Sequence, residues 1–322
     1  MHNYPIKFYP ILKEKIWGGT KLMKQLHKKS TSENVGESWE LSDVEDNVSL
    51  VSNGKLKGKT LRQLLETYKA ELIGINNYDR FGNNFPLLIK FIDAKQDLSV
   101  QVHPNDALAK KRHNSFGKTE MWYIMQADQG AKLIIGFNKT MTPEQYVNYL
   151  EQKKIPSILN YENVKAGDAF FIEPGTVHTI GAGIVLAEIQ QTSDITYRIY
   201  DWDRVDENGN PRQLHTDLAI EAINFSDKIK AKHQYSTFIN SLNSIVKCDY
   251  FTTNFIHVVG KKELDYAQSD TFVIFMCVQG KAIISMGEHS EKLTLGETVL
   301  IPATANKVTI VSKNCKLLEV TV

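Results

Sequence analysis

Ser99-Val100-Gln101-Val102-His103-Pro104-Asn105-Asp106 sets the reading of this chain. Side chains alternate between the faces of a strand, so Ser99, Gln101 and His103 point one way while Val100 and Val102 point the other. The valines are packing residues. Pro104 ends the strand by withdrawing an amide donor. A glutamine beside a histidine on one face of an otherwise apolar strand suggests a metal site. A lone strand histidine is more often a core or surface residue, so the suggestion depends on further ligands elsewhere in the chain.

The period-two pattern continues on both sides. Segments 87–92, 98–103, 120–125, 131–137, 169–173, 184–189 and 195–202 read as strands, followed by 251–259, 271–279, 282–286 and 298–301. Many short strands at close spacing imply a sandwich or barrel, not a parallel sheet. Helices interrupt them. One is capped by Thr60, with Leu61, Leu64, Leu65 and Tyr68 on one stripe. A polar one covers 107–112, one opens at Thr142-Pro143-Glu144-Gln145, and a capped one spans 216–223. In Ile16-Trp17-Gly18-Gly19-Thr20 and Gly36-Glu37-Ser38-Trp39-Glu40-Leu41, glycines beside tryptophans suggest turns that let a bulky ring lie against the backbone, in an irregular layer covering a sheet. The polar stretch 227–233 is the best domain boundary, giving units 1–235 and 236–322. A faint repeat supports two small β-barrels. Gly167-Asp168 opens a strand that ends at Pro174-Gly175, with His178 beyond. Gly296-Glu297 opens one that ends at Pro302, with Asn306-Lys307 where a ligand would stand.

The chain has 322 residues, enough for two such units, and 38 Lys+Arg against 37 Asp+Glu leave a formal charge of +1. That balance offers no global field for nucleic acid or an acidic membrane. No apolar run is long enough to span a bilayer, and Met1-His2-Asn3-Tyr4-Pro5 lacks the texture of a signal peptide. Cys248, Cys277 and Cys315 are odd in number and far apart, which fits free thiols in a reducing cytoplasm rather than a disulfide scaffold.

The missing ligands turn up at the ends of other strands. Glu120 heads one, and His178 follows the Pro174-Gly175 turn. Two imidazoles, a carboxylate and an amide oxygen suit a divalent first-row metal in the mouth of a barrel.

This pattern resembles the cupin jelly roll and, more closely, the short bacterial type I phosphomannose isomerases. The resemblance rests on Trp17-Gly18-Gly19, Gly36-Glu37-Ser38-Trp39, Ser99-Val100-Gln101-Val102-His103-Pro104 and Gly117-Lys118-Thr119-Glu120-Met121-Trp122-Tyr123. Pro174-Gly175-Thr176-Val177-His178 and Tyr197-Arg198-Ile199-Tyr200-Asp201-Trp202 complete it, in order over almost the whole chain. It implies a mainly β fold of two cupin-type jelly-roll barrels with a few inserted helices. The first barrel would be catalytic, and the C-terminal one would lack metal ligands. It implies one Zn2+ per chain held by Gln101, His103, Glu120 and His178, with Arg198, Glu188 and Lys118 as active-site residues. The implied activity is interconversion of mannose 6-phosphate and fructose 6-phosphate through an enediol, by a monomer or homodimer. Met121 departs from the common pattern, but lies on the strand face opposite Glu120.

The residue types suit that chemistry. A Lewis acid stabilises charge developing on the substrate oxygens, and Arg or Lys binds the phosphate dianion. A general base must reach the migrating proton. Glu188 is a candidate for that base, and is equally readable as a buried carboxylate paired with Arg198. His113, His215 and His257 lack partnered spacing and read as structural or surface residues, and Lys110-Lys111-Arg112 as a solvated helix face. Two other functions fit the same ligands: a non-haem iron oxygenase using two His and one carboxylate, or a non-catalytic sugar-phosphate-binding protein. Gln101 as a fourth ligand, with the cations Arg198 and Lys118, favours the isomerase.

Overall fold

A computed structural model describes residues 4–205, 208–225 and 230–322, and among these the chain is mainly β. The largest sheet has seven strands, ordered Ile11–Gly19, Val35–Leu41, Leu87–Ala94, Ile184–Gln191, Glu120–Ala127, Ala169–Ile172 and Lys232–His233. A five-stranded sheet runs Tyr197–Tyr200, Val100–Val102, His178–Ile180, Lys132–Phe137 and Leu159–Asn163. A six-stranded sheet comprises Asn243–Lys247, Thr252–Asp265, Lys307–Thr321, Val273–Met286 and His289–Thr294, with Thr298–Ile301 paired to the strand Val273–Met286. All their strand pairs are antiparallel. Each path ends in free edges, so among the described residues no ring of strands closes into a barrel.

Alternation along the strands gives each sheet two apolar faces. The seven- and five-stranded sheets share a core through Ile92, Trp122, Ile124, Phe170 and Leu186 on one side and Leu133, Ile135 and Ile180 on the other. Outside the five-stranded sheet, Val100, Val102 and Ile199 pack with Tyr146, Ala219 and Ile223 from the helical excursions. The back of the seven-stranded sheet carries Ile89, Phe91, Met121, Tyr123, Ala187 and Ile189. These join one core with Phe255, Ile274, Met276, Leu318 and Val320 of the six-stranded sheet. Residues between those, such as Ile256, Val273, Phe275 and Leu317, fill a separate core on its far side. Each fully buried side chain of this size contributes about 1.5–3 kcal/mol, so the contact between the sheets is a major part of the fold.

Two helices follow their start signals. Thr60 and Gln63 form a reciprocal capping box at Leu61–Tyr68, and Thr142 and Gln145 do the same at Pro143–Glu151. Other segments differ from the sequence reading. The Trp-Gly-Gly and Gly-Glu-Ser-Trp motifs lie in paired strands, Ile11–Gly19 and Val35–Leu41, that extend the large sheet. Added Cβ atoms on Gly18 and Gly36 would lie 2.4 Å from Asn34 O and 2.5 Å from the Trp17 ring, so these glycines permit close approach within a strand pair, not a turn. The helix Thr216–Ala222 has no side-chain cap. Arg112 is not simply solvated: it donates to Leu218 O at 3.0 Å and pairs with Glu221. Of the stretch 227–233, residues 227–229 lie outside the described residues, while Lys232–His233 pairs with the large sheet.

Candidate active site

The site sits where three chain segments reach the ends of their strands. Register places Gln101 opposite both His178 and Arg198 in the five-stranded sheet. In the large sheet it places Glu188 between Lys90 and Trp122, and Gln190 opposite Glu120. The polar side chains therefore line up by strand pairing, although they are far apart in sequence.

His103, Glu120 and His178 converge with their ligand atoms within 4.8 Å of one another, all buried. His103 Nε2 is 3.4 Å from Glu120 Oε1, and His178 Nε2 is 3.7 Å from Oε2. His103 Nδ1 lies 2.9 Å from Ile195 O, and His178 Nδ1 lies 2.8 Å from Thr176 O. A carbonyl can only accept, so each Nδ1 carries the proton and each Nε2 presents a lone pair to the centre. Burial pushes the His103 pKa down to about 3, helped by the Lys118 ammonium and opposed by Glu120. Burial likewise lowers His178, again opposed by Glu120. Both imidazoles are thus neutral.

Glu120 is wholly buried, and among the described residues its charge is met by an ion pair with Lys118 rather than by a shell of hydrogen-bond donors. Burial alone would raise its pKa, but the Lys118 ammonium outweighs that and holds it well below the ordinary carboxylate range. Lys118 Nζ lies 2.7 Å from Glu120 Oε1 and 3.1 Å from His103 Nε2. A buried anion with lone pairs to spare beyond the Lys118 contact, facing two imidazole nitrogens, fits a divalent cation in both charge and donor type. Gln101 adds its amide, with Nε2 3.3 Å from His178 Nε2, and a half-turn of that amide would present its oxygen to the same point.

Beside this centre opens a cleft of about 390 Å³. Its lining includes Lys13, Lys15, Lys90, Lys118, Arg198 and Arg212 against the carboxylates Glu37, Glu188 and Asp194. This is a local excess of positive charge in a chain with almost none overall. Glu188 does not pair with Arg198. Its Oε2 lies 3.0 Å from Lys90 Nζ, and its Oε1 accepts from Trp122 Nε1 at 2.9 Å. The reason is topological: Glu188 and Arg198 belong to different sheets. Burial raises the Glu188 pKa against the pull of Lys90. Arg198 donates Nη1 to Gln213 O at 2.7 Å, and its buried Nε has no partner among the described residues.

The catalytic-domain model of type I phosphomannose isomerase matches residues 6–132, and the cupin-domain model of mannose-6-phosphate isomerase matches residues 241–322. Mannose-6-phosphate isomerase ManA of Bacillus subtilis is 37% identical over 305 residues, 94% of each chain. The chain belongs to the type I phosphomannose isomerase family. A mannose-6-phosphate isomerase of Streptococcus mutans is 33% identical over 305 residues, 93% of each chain. A crystal structure of the mannose 6-phosphate isomerase from Bacillus subtilis superposes with a TM-score of 0.89 at 32% identity, covering 99% of this chain and 100% of that one.

Strand pairing brings further charged residues to the site. Lys90 sits inside the apolar run Leu87–Ala94 and is 5% exposed, with its charge met by Glu188, Glu37 and Glu120. A lysine in the middle of a buried strand was the available signal. Glu37 accepts from Trp39 Nε1 at 2.6 Å and lies 3.3 Å from Lys15. Its place one strand from Lys90 follows from pairing that the motif alone does not reveal. His215 is not idle: its Nδ1 accepts the backbone N–H of Arg198 at 3.1 Å. His113 bonds Tyr197 Oη at 2.8 Å and His257 bonds Asn314 at 2.8 Å, both away from the centre. Met121 packs into the core behind the large sheet, on the face opposite the site.

Proposed function

We propose that this chain interconverts mannose 6-phosphate and fructose 6-phosphate, with one zinc ion held by Gln101, His103, Glu120 and His178. The observation that carries the reading is the buried Glu120 carboxylate, converging with two neutral imidazoles at the edge of a cation-rich cleft and held there by Lys118. When bound, zinc supplies Lewis acidity that stabilises negative charge on the substrate oxygens.

The protein groups divide the remaining work. Arg198, with an Nε–H that meets no acceptor among the described residues, is the cation for the phosphate dianion, beside an Arg212 that Asp201 holds through two nitrogens. Glu188, its pKa raised by burial, takes the proton from C2 of open-chain mannose 6-phosphate while O1 gains one, giving the enediol, and returns it to C1 while O2 gives one up, giving the ketose. Lys90 and Trp122 hold that carboxylate from two sides, fixing its direction. Lys118 sits where its ammonium can donate to an oxygen of the bound sugar. The reading extends to a catalytic unit 1–235 and a smaller unit 236–322, each a jelly roll. It is supported by Lys232–His233 pairing with the large sheet and Asn243–Lys247 with the six-stranded one. Three unpaired thiols suit a reducing cytoplasm.

The test is conversion of mannose 6-phosphate by the purified protein, before chelation, after it, and after zinc is restored, with the metal content measured alongside. Activity that disappears and returns with one zinc per chain is the expected result. A fully metallated protein that leaves mannose 6-phosphate unchanged would overturn the assignment.

A further inference from the structure

Lys118 and Glu120 are delivered to the site by a short non-regular segment, 114–119, between the helix Asp106–His113 and the strand Glu120–Ala127. Such a segment needs anchoring if its side chains are to stay in place. The anchor is Asp106. Its Oδ1 accepts from Gly117 N at 2.8 Å and from Gln191 Nε2 at 3.0 Å. The same Gln191 accepts Thr119 N at 2.9 Å through Oε1. An amide that must donate to a carboxylate and accept from an N–H has only one possible orientation, so Gln191 is a fixed strut. Gly117 lies so close that an added Cβ would sit 2.6 Å from Asp106 N and 2.9 Å from Asp106 Oδ1.

The other oxygen of Asp106 leads out of this half of the molecule. Tyr250 Oη donates to Asp106 Oδ2 at 2.6 Å. Tyr250 lies in the turn between the strands Asn243–Lys247 and Thr252–Asp265 of the six-stranded sheet. Arg80 steadies that turn by donating to Asp249 O at 2.7 Å while its guanidinium lies 5.8 Å from the Tyr250 ring centre.

We propose that Asp106 is a positioning residue for Lys118 and Glu120, and that Tyr250 makes the C-terminal part of the chain a working component of the active site. The hydroxyl holds Asp106, Asp106 holds Gly117 and Gln191, and Gln191 holds Thr119. Loosening any link lets the lysine and the carboxylate drift without removing either.

The inference deepens the isomerase reading, and its test has one arm that needs no activity. Tyr250→Phe, Asp106→Ala and Asp106→Asn would be made in the full-length, zinc-loaded protein. Misplacing reacting groups by a fraction of an ångström lowers turnover, so kcat should fall about tenfold in Tyr250→Phe and further in Asp106→Ala, with KM little changed. Amide exchange at Gly117 and Thr119 should quicken about tenfold in both, as their acceptors loosen. Asp106→Asn keeps the Oδ1 acceptor and turns an amide toward the Tyr250 oxygen, so it should recover most of the loss seen with alanine. Wild-type kcat and wild-type exchange in Tyr250→Phe, with or without a lower melting temperature, would overturn the proposal. So would an asparagine variant as impaired as the alanine one. If Asp106→Ala does not fold, Tyr250→Phe decides alone. If the wild-type protein shows no isomerase activity, the functional reading fails while the exchange measurement still judges the anchor.

Discussion

Replacing Lys90 by methionine removes the counter-ion of a buried carboxylate and keeps most of the side-chain volume. In the intact protein Lys90 Nζ is 3.0 Å from Glu188 Oε2, with side chains 7% and 4% exposed. Breaking one side of such a pair costs about 3–5 kcal/mol, because the remaining charge has neither water nor a partner. The upper part of that range applies here, since Lys90 also faces Glu37 and Glu120. The deficit must depend on pH. Burial already raises Glu188 above its ordinary value, and loss of Lys90 raises it further. A carboxyl with a raised folded pKa binds its proton more tightly in the native state. Its penalty is therefore absent below the unfolded pKa of about 4.3 and grows as pH rises toward the folded pKa. Urea unfolding of chelated wild type and Lys90→Met at pH 5 and pH 8 should show the larger gap at pH 8. The double variant Lys90→Met/Glu188→Gln should regain most of the stability. An equal deficit at both pH values, or one below about 1 kcal/mol, would refute the argument, since it would place the pair in contact with solvent.

Three further outcomes follow from the same geometry. Glu120→Ala should lower divalent-metal affinity at least about 100-fold by removing the only carboxylate of the His103–Glu120–His178 cluster, read as metal retained after desalting. Chelated wild type should lose stability as pH falls below about 6.5, by up to about 1.4 kcal/mol per pH unit for each histidine, because His103 and His178 are held neutral in the fold and protonate freely when unfolded. His103→Gln should flatten that slope in denaturant titrations. Gly117→Ala forces a methyl to within 2.6 Å of backbone and should cost about 1–3 kcal/mol in unfolding free energy, with kcat reduced along with it.

What the sequence discloses depends on how local the cause is. Gln101 and His103 could be picked out because alternation within one strand separates them from Val100 and Val102, which do pack on the opposite side. Glu120 and His178 stand beside turns that a reader can see. Lys90, by contrast, is explained by Glu188, 98 residues away, and only register brings them together. The same limit produced the mistaken pairing of Glu188 with Arg198, which are close in sequence but on separate sheets. The strand Lys307–Thr321 went unread for another reason. Its apolar alternation, Val308, Ile310, then Leu317, Leu318 and Val320, is interrupted by Lys313, Asn314 and Lys316 at the place where bulges disturb its pairing with both neighbours. The glycine-tryptophan motifs looked like turns because glycine serves equally where a bulky ring must lie against a neighbouring strand.

The core behind the large sheet has a consequence for how the molecule is made. Met121, Ala187 and Ile189 rest on Phe255, Ile274, Leu318 and Val320. The last two belong to the strand Lys307–Thr321, which leaves the ribosome after every residue of the candidate site. During synthesis the strands that carry Glu120 and Glu188 must wait with an oily back exposed, a state prone to association with other chains. A growing chain that stalled before this strand would already contain every group needed for the chemistry, and would still lack the partner surface that lets its main sheet persist in water.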